Sequence, residues 1–292
     1  MPDAVPVALV TDTTHYLPRA LVRAKNIHEV SLYVKFEGRE VRESELLEDF
    51  DDFYEKLRTA QEMPTTSQPS IGDFLAVWEP LLNEGNDIVS MHLASGISGT
   101  YDSALQAKNR LVDDGLDEAR LCVVDAKTGA GGAGMMLLAG ASCVQSGGDV
   151  EAVANRIRSA REQLRIWFIV ETLEYLRRGG RIGGAAALLG GALKIKPILT
   201  FEEEITPVER VRTSARAFER MVAYMHSRKE DGADGWVIQH VQAPERAQEL
   251  VERGREVFGS DPLFVSPIGP VIGAHVGPGL IGFGALPRTL LT

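Results

Sequence analysis

The feature that most constrains this chain is an alternation. Short apolar runs of strand length are followed, again and again, by segments with helical spacing. Residues 5–10 are apolar and end in Thr11-Asp12-Thr13-Thr14, the pattern of a buried strand with polar residues at its C-terminal end. Runs at 27–36, 87–93 and 121–125 repeat it. Leu46, Leu47, Phe50, Phe53, Tyr54 and Leu57 recur on one face of a helix predicted over 45–60, with Ser44 as its cap. Ser70 and Asp73 form a capping-box pattern that opens a helix to about residue 83. A helix is predicted over 100–112, and a glycine-rich turn leads to an apolar helix around 135–144. Asp149 caps a further helix to about residue 163. Strands and helices in this order predict a doubly wound, mainly parallel sheet.

The rhythm changes in the second half. A strand is predicted over 166–170 and a small-residue helix over 185–193. Strands over 195–201 and 205–211, separated by Glu202-Glu203-Glu204, read as a hairpin. Helices over 214–227 and 245–258 alternate with strands at 236–241, 263–265 and 270–275. Neighbouring strands without a helix between them predict a mixed or antiparallel sheet. The fold class is therefore α/β in two domains, residues 1–160 and 161–292, with the 60–70 loop able to reach across the boundary.

Charge and composition narrow the function. A net charge of -10 argues against a general nucleic-acid binder, which carries a basic surface. Basic residues nevertheless gather at 177–181 and at Lys194, Lys196, Arg210, Arg212 and Arg216, either as a solvated face or as an anion or docking surface. Two cysteines give no disulfide framework, and no apolar run reaches the ~18 residues of a spanning helix. With no leader pattern, cytoplasmic residence is expected.

Four polar loops stand beside the apolar runs: Thr65-Thr66-Ser67-Gln68-Pro69-Ser70, Ser95-Gly96-Ile97-Ser98-Gly99-Thr100, Gly179-Gly180-Arg181-Ile182-Gly183 and Gly273-Ala274-His275-Val276-Gly277-Pro278-Gly279. Hydroxyls, backbone N–H groups, one Arg and one His are the donors that hold a small anion. Thr66 or Ser67 is a candidate carboxylate donor. Ser98 either caps the helix at Thr100 or faces an anion, and the two roles are compatible. Arg181 suits a carboxylate or acyl phosphate; an interdomain salt bridge is the alternative. His275 sits at a predicted strand end among glycines, where backbone approaches a ligand closely.

Other chemistries find weaker footing. Gly129-Ala130-Gly131-Gly132-Ala133-Gly134 matches a dinucleotide-binding turn, but Asp149 stands where a helix begins rather than at the end of a second strand. Thr100 occupies the second glycine position of a hydrolase nucleophile elbow. No two histidines have metal-ligand spacing, and Asp12 and Asp125 at strand ends read as sheet-end hydrogen-bonding groups ahead of cation ligands.

In order along the chain, Leu9-Val10-Thr11-Asp12-Thr13-Thr14, Thr66-Ser67-Gln68-Pro69-Ser70, Ser95-Gly96-Ile97-Ser98-Gly99-Thr100-Tyr101 and Val124-Asp125 resemble the DegV family of fatty-acid-binding proteins. Leu173-Glu174-Tyr175-Leu176-Arg177-Arg178-Gly179-Gly180-Arg181-Ile182, Ile195-Lys196-Pro197-Ile198-Leu199 and the glycine-rich loop around His275 continue the resemblance to about residue 285. It implies two α/β domains holding a long-chain fatty acid, with no cofactor. It further implies the acyl-carrying subunit of a fatty acid kinase, non-catalytic by itself, which presents the carboxylate to a separate ATP-using subunit. Thr66, Ser67, Ser95, Gly96 and His275 would bind the carboxylate, and Arg181 with Ser98 the acyl phosphate or head group. Arg212 would face the kinase partner, and transient membrane contact fits such a carrier. The sequence departs from the family's pattern at Ala94, Ala126 and Glu203-Glu204. The apolar segments 185–189, 192–193 and 268–272, with Phe168 and Ile198, are candidate lining for the acyl chain, which contributes roughly 0.8 kcal/mol per buried methylene. Competing readings are a stand-alone phosphotransferase or hydrolase and a regulatory lipid sensor.

Overall fold

The apolar runs of the first half pair side by side as strands. The computed structural model describes residues 5–46, 50–60, 62–189 and 195–291. In chain order these begin with β1 (Val7–Asp12), β2 (Ile27–Val30), β3 (Tyr33–Phe36), β4 (Arg39–Arg42), β5 (Thr65–Ser67), β6 (Asp87–His92) and β7 (Leu121–Asp125). Strands β2, β1, β6 and β7 form a wholly parallel sheet, as the alternation requires. All six residues of β1 are buried, consistent with a strand covered on both faces.

The run at 27–36, expected to be one strand, is two. At the break, the Ser31 hydroxyl donates to the Leu32 carbonyl and accepts from Ser44 N–H at 3.0 Å. Leu32 N–H turns to Thr13 Oγ1, so the chain leaves the parallel sheet there. β3 then enters a small antiparallel sheet of order β4-β3-β5, which the sequence did not announce. Nor does Ser44 cap a long helix. Glu43–Glu45 forms a single 3-10 turn, and the helix occupies Asp51–Thr59; Leu47 lies outside the described residues. The Ser70–Asp73 capping box is formed in both directions and starts the helix Ile71–Asn83.

The second half contains β8 (Arg165–Ile169), β9 (Lys196–Glu202), β10 (Glu204–Val211), β11 (Gly235–His240), β12 (Phe264–Pro267) and β13 (Ile281–Leu286). They make a mixed sheet of order β10-β9-β8-β13-β11-β12. The β9–β10 hairpin forms as expected, with Glu203 in the left-handed region at its turn. Two expectations fail here. Residues 270–275, expected as a strand, lie in the helix Pro270–Val276, which a proline at its start favours. Strand β13, unanticipated, sits inside the sheet between β8 and β11. The expected helix over 185–193 is a 3-10 segment, Gly183–Leu188, and Ala192, Leu193 and Lys194 lie outside the described residues.

Helix Ala130–Gln145 is buried around almost its whole circumference because it packs between the two large sheets. The glycine-rich stretch expected as a turn forms its opening turns instead. Glycine permits that contact: a Cβ on Gly129 would meet Leu93 and Phe201 of β9, one on Gly131 would meet Gln239 and Val237 of β11, and one on Gly134 would meet Phe264 of β12. The helix thus crosses the mixed sheet from the hairpin toward β12. Helices Ser214–Glu230 and Pro244–Phe258 cover the opposite face, over Ile169, Ile198, Trp236, Ile238 and Phe283.

Candidate functional site

Cross-strand register fixes what the inner face of the mixed sheet presents. Ile205 pairs with Phe201, Leu199 with Phe168, Phe168 with Gly282, and Gly282 with Gln239. One row further along β13, Gly284 pairs with Ile166 and Val237. Directly paired residues share a face, so Gly282 and Gly284 leave a trough where side chains would otherwise stand. The trough is roofed by the start of helix Ala130–Gln145 and by helix Pro270–Val276, and it forms a cavity with about 1000 Å³ of atom-free space, its solvent-open part included. From β10 to β11 is four strand spacings, about 19 Å. Its walls are mostly apolar, among them Leu32, Leu93, Phe168, Phe201, Ile268 and Val271.

Most polar wall residues gather at the hairpin end. They are Thr66, Ser67, Gln68, Ser98, Arg181 and His275. β5 holds Thr66 against β3 and places its hydroxyl 2.8 Å from His275 Nε2, 209 residues away in sequence. His275 stands in the last turn of Pro270–Val276. Its Nδ1 is buried without a hydrogen-bond partner among the described residues and abuts Gly179, where any Cβ would come within 2.3 Å of it. Burial, reinforced by the neighbouring Arg181 guanidinium, pushes the imidazole down to about 4, so it is neutral at pH 7.

Arg181 is the only charged residue on the cavity wall among the described residues. Its Nη1 donates to the Gly179 carbonyl at 2.7 Å and its Nε to the Ile97 carbonyl at 3.3 Å. The expected alternative, an interdomain salt bridge, is not formed among the described residues: these partners are neutral carbonyls. A half-buried cation held by neutral groups at the edge of an apolar cavity has a charge and geometry suited to an anion.

Not every candidate reaches the wall. The Ser95 hydroxyl donates to Asp125 Oδ2 at 2.6 Å and its N–H to Oδ1, and neither Ser95 nor Gly96 lines the cavity. Gly96 instead lies under the hairpin turn, where a Cβ would stand 2.4 Å from the Glu203 carbonyl oxygen. Ser98 both lines the cavity and accepts from Thr100 N–H at 3.3 Å. Ser67 also donates to Glu40 at 3.2 Å. Arg212 is exposed just past the end of β10, roughly 20 Å along the strand from Ile205. In the basic cluster, Arg177 and Arg178 both pair with Glu174, and Lys196 with Glu171. Of the expected lining, Phe168, Ile268, Val271 and Ile272 reach the cavity, whereas residues 185–189 do not, Ile198 packs on the opposite face of the sheet, and 192–193 lie outside the described residues. Reasoning from sequence missed Gln239, Gly282 and Gly284; the alternation of glycines in Gly282-Phe283-Gly284 was the available signal.

Other chemistries meet physical obstacles. A hydrogen-bonded chain runs from Asp12 Oδ2 to His92 Nδ1 at 3.2 Å and from His92 Nε2 to Ser90 Oγ at 2.7 Å, in the order of a hydrolase triad. Ser90 and His92 are wholly buried, Ser90 also accepts from Trp78 Nε1, and neither lines the cavity. The chain braces the parallel sheet. Against burial, which raises it, the hydrogen bond with His92, then those from the Thr14 hydroxyl and the Leu93 N–H, hold the Asp12 carboxyl below the usual range. Asp149 caps Val150–Gln163 by accepting from Ala152 N–H, away from the position of a ribose-binding acid.

A family model described as uncharacterised protein, DegV family, matches residues 6–288. A DegV domain-containing protein of Streptomyces coelicolor is 36% identical over 287 residues, covering 94% of this chain and 96% of its own. Among solved structures, a DegV family protein from Thermus thermophilus described as fatty-acid binding matches with a TM-score of 0.83 at 32% identity, over 97% of this chain and 99% of its own. DegV of Bacillus subtilis, described as a fatty acid binding protein, matches with a TM-score of 0.85 at 32% identity over the same shares. With its strand order, cavity and four loops on the same scaffold, the chain belongs to the DegV family.

Proposed function

We propose that this protein binds one long-chain fatty acid, with the carboxylate at Arg181 and the hydrocarbon tail in the trough over β8, β13 and β11. The observation that carries this reading is the Arg181 guanidinium, hydrogen-bonded only to neutral carbonyls and the sole wall charge among the described residues, at one end of a mostly apolar cavity. Thr66, Ser98 and neutral His275 supply hydrogen bonds beside it, with Ser67 and Gln68 at the rim. Solved structures of the family described as fatty-acid binding support a fatty acid as the ligand. Ser95 and Gly96 support this end indirectly, by tying the Ile97–Ser98 loop to Asp125 and to the hairpin turn.

The energetics are consistent. Burying about fifteen methylenes yields roughly 12 kcal/mol gross, against about 4–15 kcal/mol for lost freedom on association. The tail therefore dominates affinity and the head group fixes orientation. A single cation, already shared with two backbone carbonyls, beside neutral hydroxyls and an uncharged imidazole holds the carboxylate without the grip of a cluster of free charges, which suits a carrier that hands it to a separate ATP-using kinase subunit for acyl-phosphate formation. In that role the protein works in the cytoplasm, performs no chemistry alone, and meets the kinase through the exposed Arg212 face. Mass spectrometry of lipid co-purified with the protein tests the first part: about one long-chain acid per chain is expected, and protein that neither carries nor takes up such an acid refutes it. ATP-dependent acyl-phosphate formation that requires both proteins tests the second. Turnover by this chain alone would favour a stand-alone enzyme, and lipid binding without any kinase coupling a regulatory sensor.

A further inference from the structure

The far end of the cavity is not purely apolar. Gln239, on β11, is 3% exposed and lines the wall opposite the head-group end. Its amide orientation is fixed by its neighbours. Ser266 Oγ donates to the Tyr16 carbonyl at 2.7 Å, so it must accept from Gln239, and the Gln239 atom 2.9 Å away is therefore Nε2. Nε2 also faces the His15 and Tyr16 carbonyls. Oε1 consequently points the other way, toward Gly131, where a Cβ would stand 3.0 Å from it. Among the described residues no donor hydrogen-bonds Oε1, which lies beside Gly131 and Val237 on the cavity wall. An acceptor without a protein donor on the wall of a cavity is open to a hydrogen bond from a guest or from water.

We infer that Gln239 is a specificity-determining residue for the tail, and that the site favours fatty acids carrying a hydroxyl toward the distal part of the chain. The inference rests on the fatty-acid reading above and adds to it a ligand class. The row Phe168–Gly282–Gln239 carries the tail past two apolar positions before it meets the amide. A hydroxyl arriving there donates to Oε1, whereas a plain methylene leaves the oxygen unpaired.

The test compares octadecanoic acid with a series of hydroxyoctadecanoic acids, hydroxylated from mid-chain to the terminal carbon, on wild-type protein, Gln239→Leu and Gly131→Ala. In wild type, one distal hydroxyl position should bind at least about tenfold tighter than its neighbours in the series, relative to the plain acid. Gln239→Leu removes the acceptor and Gly131→Ala shields it with a methyl, so each should lower that preference about tenfold. The alanine variant retains the Gln239 amide, which must yield by a few tenths of an ångström to the new methyl, and a thermal melt of both variants guards against a folding defect. A flat hydroxyl profile in wild type, or a preference that survives both substitutions, overturns the inference while leaving fatty-acid binding intact. Wild type that takes up no member of the series, plain acid included, overturns both.

Discussion

Gly282→Leu probes the trough directly. The glycine sits between Phe168 and Gln239 in register, and an added Cβ would touch only Phe168 Cβ at 3.5 Å and Leu280 Cδ2 at 3.8 Å as its nearest side-chain neighbours. Those are ordinary contacts, so the backbone need not move and the rest of the side chain enters the cavity. Leucine's four carbons displace about four methylenes of the guest, worth ~3 kcal/mol at roughly 0.8 kcal/mol each. Affinity for the longest acids should fall about 200-fold. Acids shorter by about four carbons should bind as they do to wild type, because they never occupy the displaced space. Competition binding across a chain-length series reads both effects, and a thermal melt confirms that the variant folds. Wild-type affinity for the longest acids, or a uniform loss at every length, would refute the placement of the tail along β13.

Arg181→Ala should weaken fatty-acid binding by ~1.5–3 kcal/mol, the range for hydrogen bonds to charged groups, while leaving the matching fatty alcohol nearly unaffected; equal losses for acid and alcohol would make Arg181 structural. His275 and the buried Glu43 make opposing contributions to the pH dependence of stability. His275 falls to about 4 in the fold from 6.5, so the unfolded chain binds the extra proton and stability drops as pH falls from about 6.5 toward 4. Burial pushes Glu43 up to about 7 from 4.5, against lowering by hydrogen bonds from Thr13, Val271 N–H and Tyr16, so its term costs stability as pH rises from about 4.5 through 7. Glu43→Gln should therefore raise the melting temperature at pH 8, with a gain of order 3 kcal/mol that fades by pH 4.5; denaturation across that range checks the sign. Arg212→Ala should retain lipid and reduce acyl-phosphate formation with the kinase, and loss of lipid would reassign Arg212 to the fold.

Local chemistry made the first half readable. The Ser70–Asp73 box, the Asp149 cap and the apolar run that opens β1 each declare themselves within a few residues, and the structure keeps them. What escaped depends on distant partners. β13 is diluted by Gly282 and Gly284, whose emptiness makes sense only once a cavity is opposite them. Residues 270–275 carry strand-like Val271 and Ile272, yet the Val271 N–H donates to Glu43 Oε1 at 2.8 Å and the Ile272 N–H to the Tyr16 hydroxyl, contacts across more than two hundred residues that anchor a helix start. The head-group loops were visible as polar sequence, but which hydroxyls turn inward was not. Ser95 and Ser98 differ by three positions, and the Asp125 carboxylate decides between them. Arg181 was found because no local element needed it.

Helix Ala130–Gln145 bears on how the molecule can be cut. Its apolar surface contacts Val7 and Leu9 on one side and Val237, Phe264 and Leu286 on the other, all in one continuous core. A fragment ending at residue 160 would keep this helix and lose half of what covers it, presenting a greasy flank to water. Such a fragment should precipitate or self-associate on expression, and the intact chain should melt in a single transition rather than two.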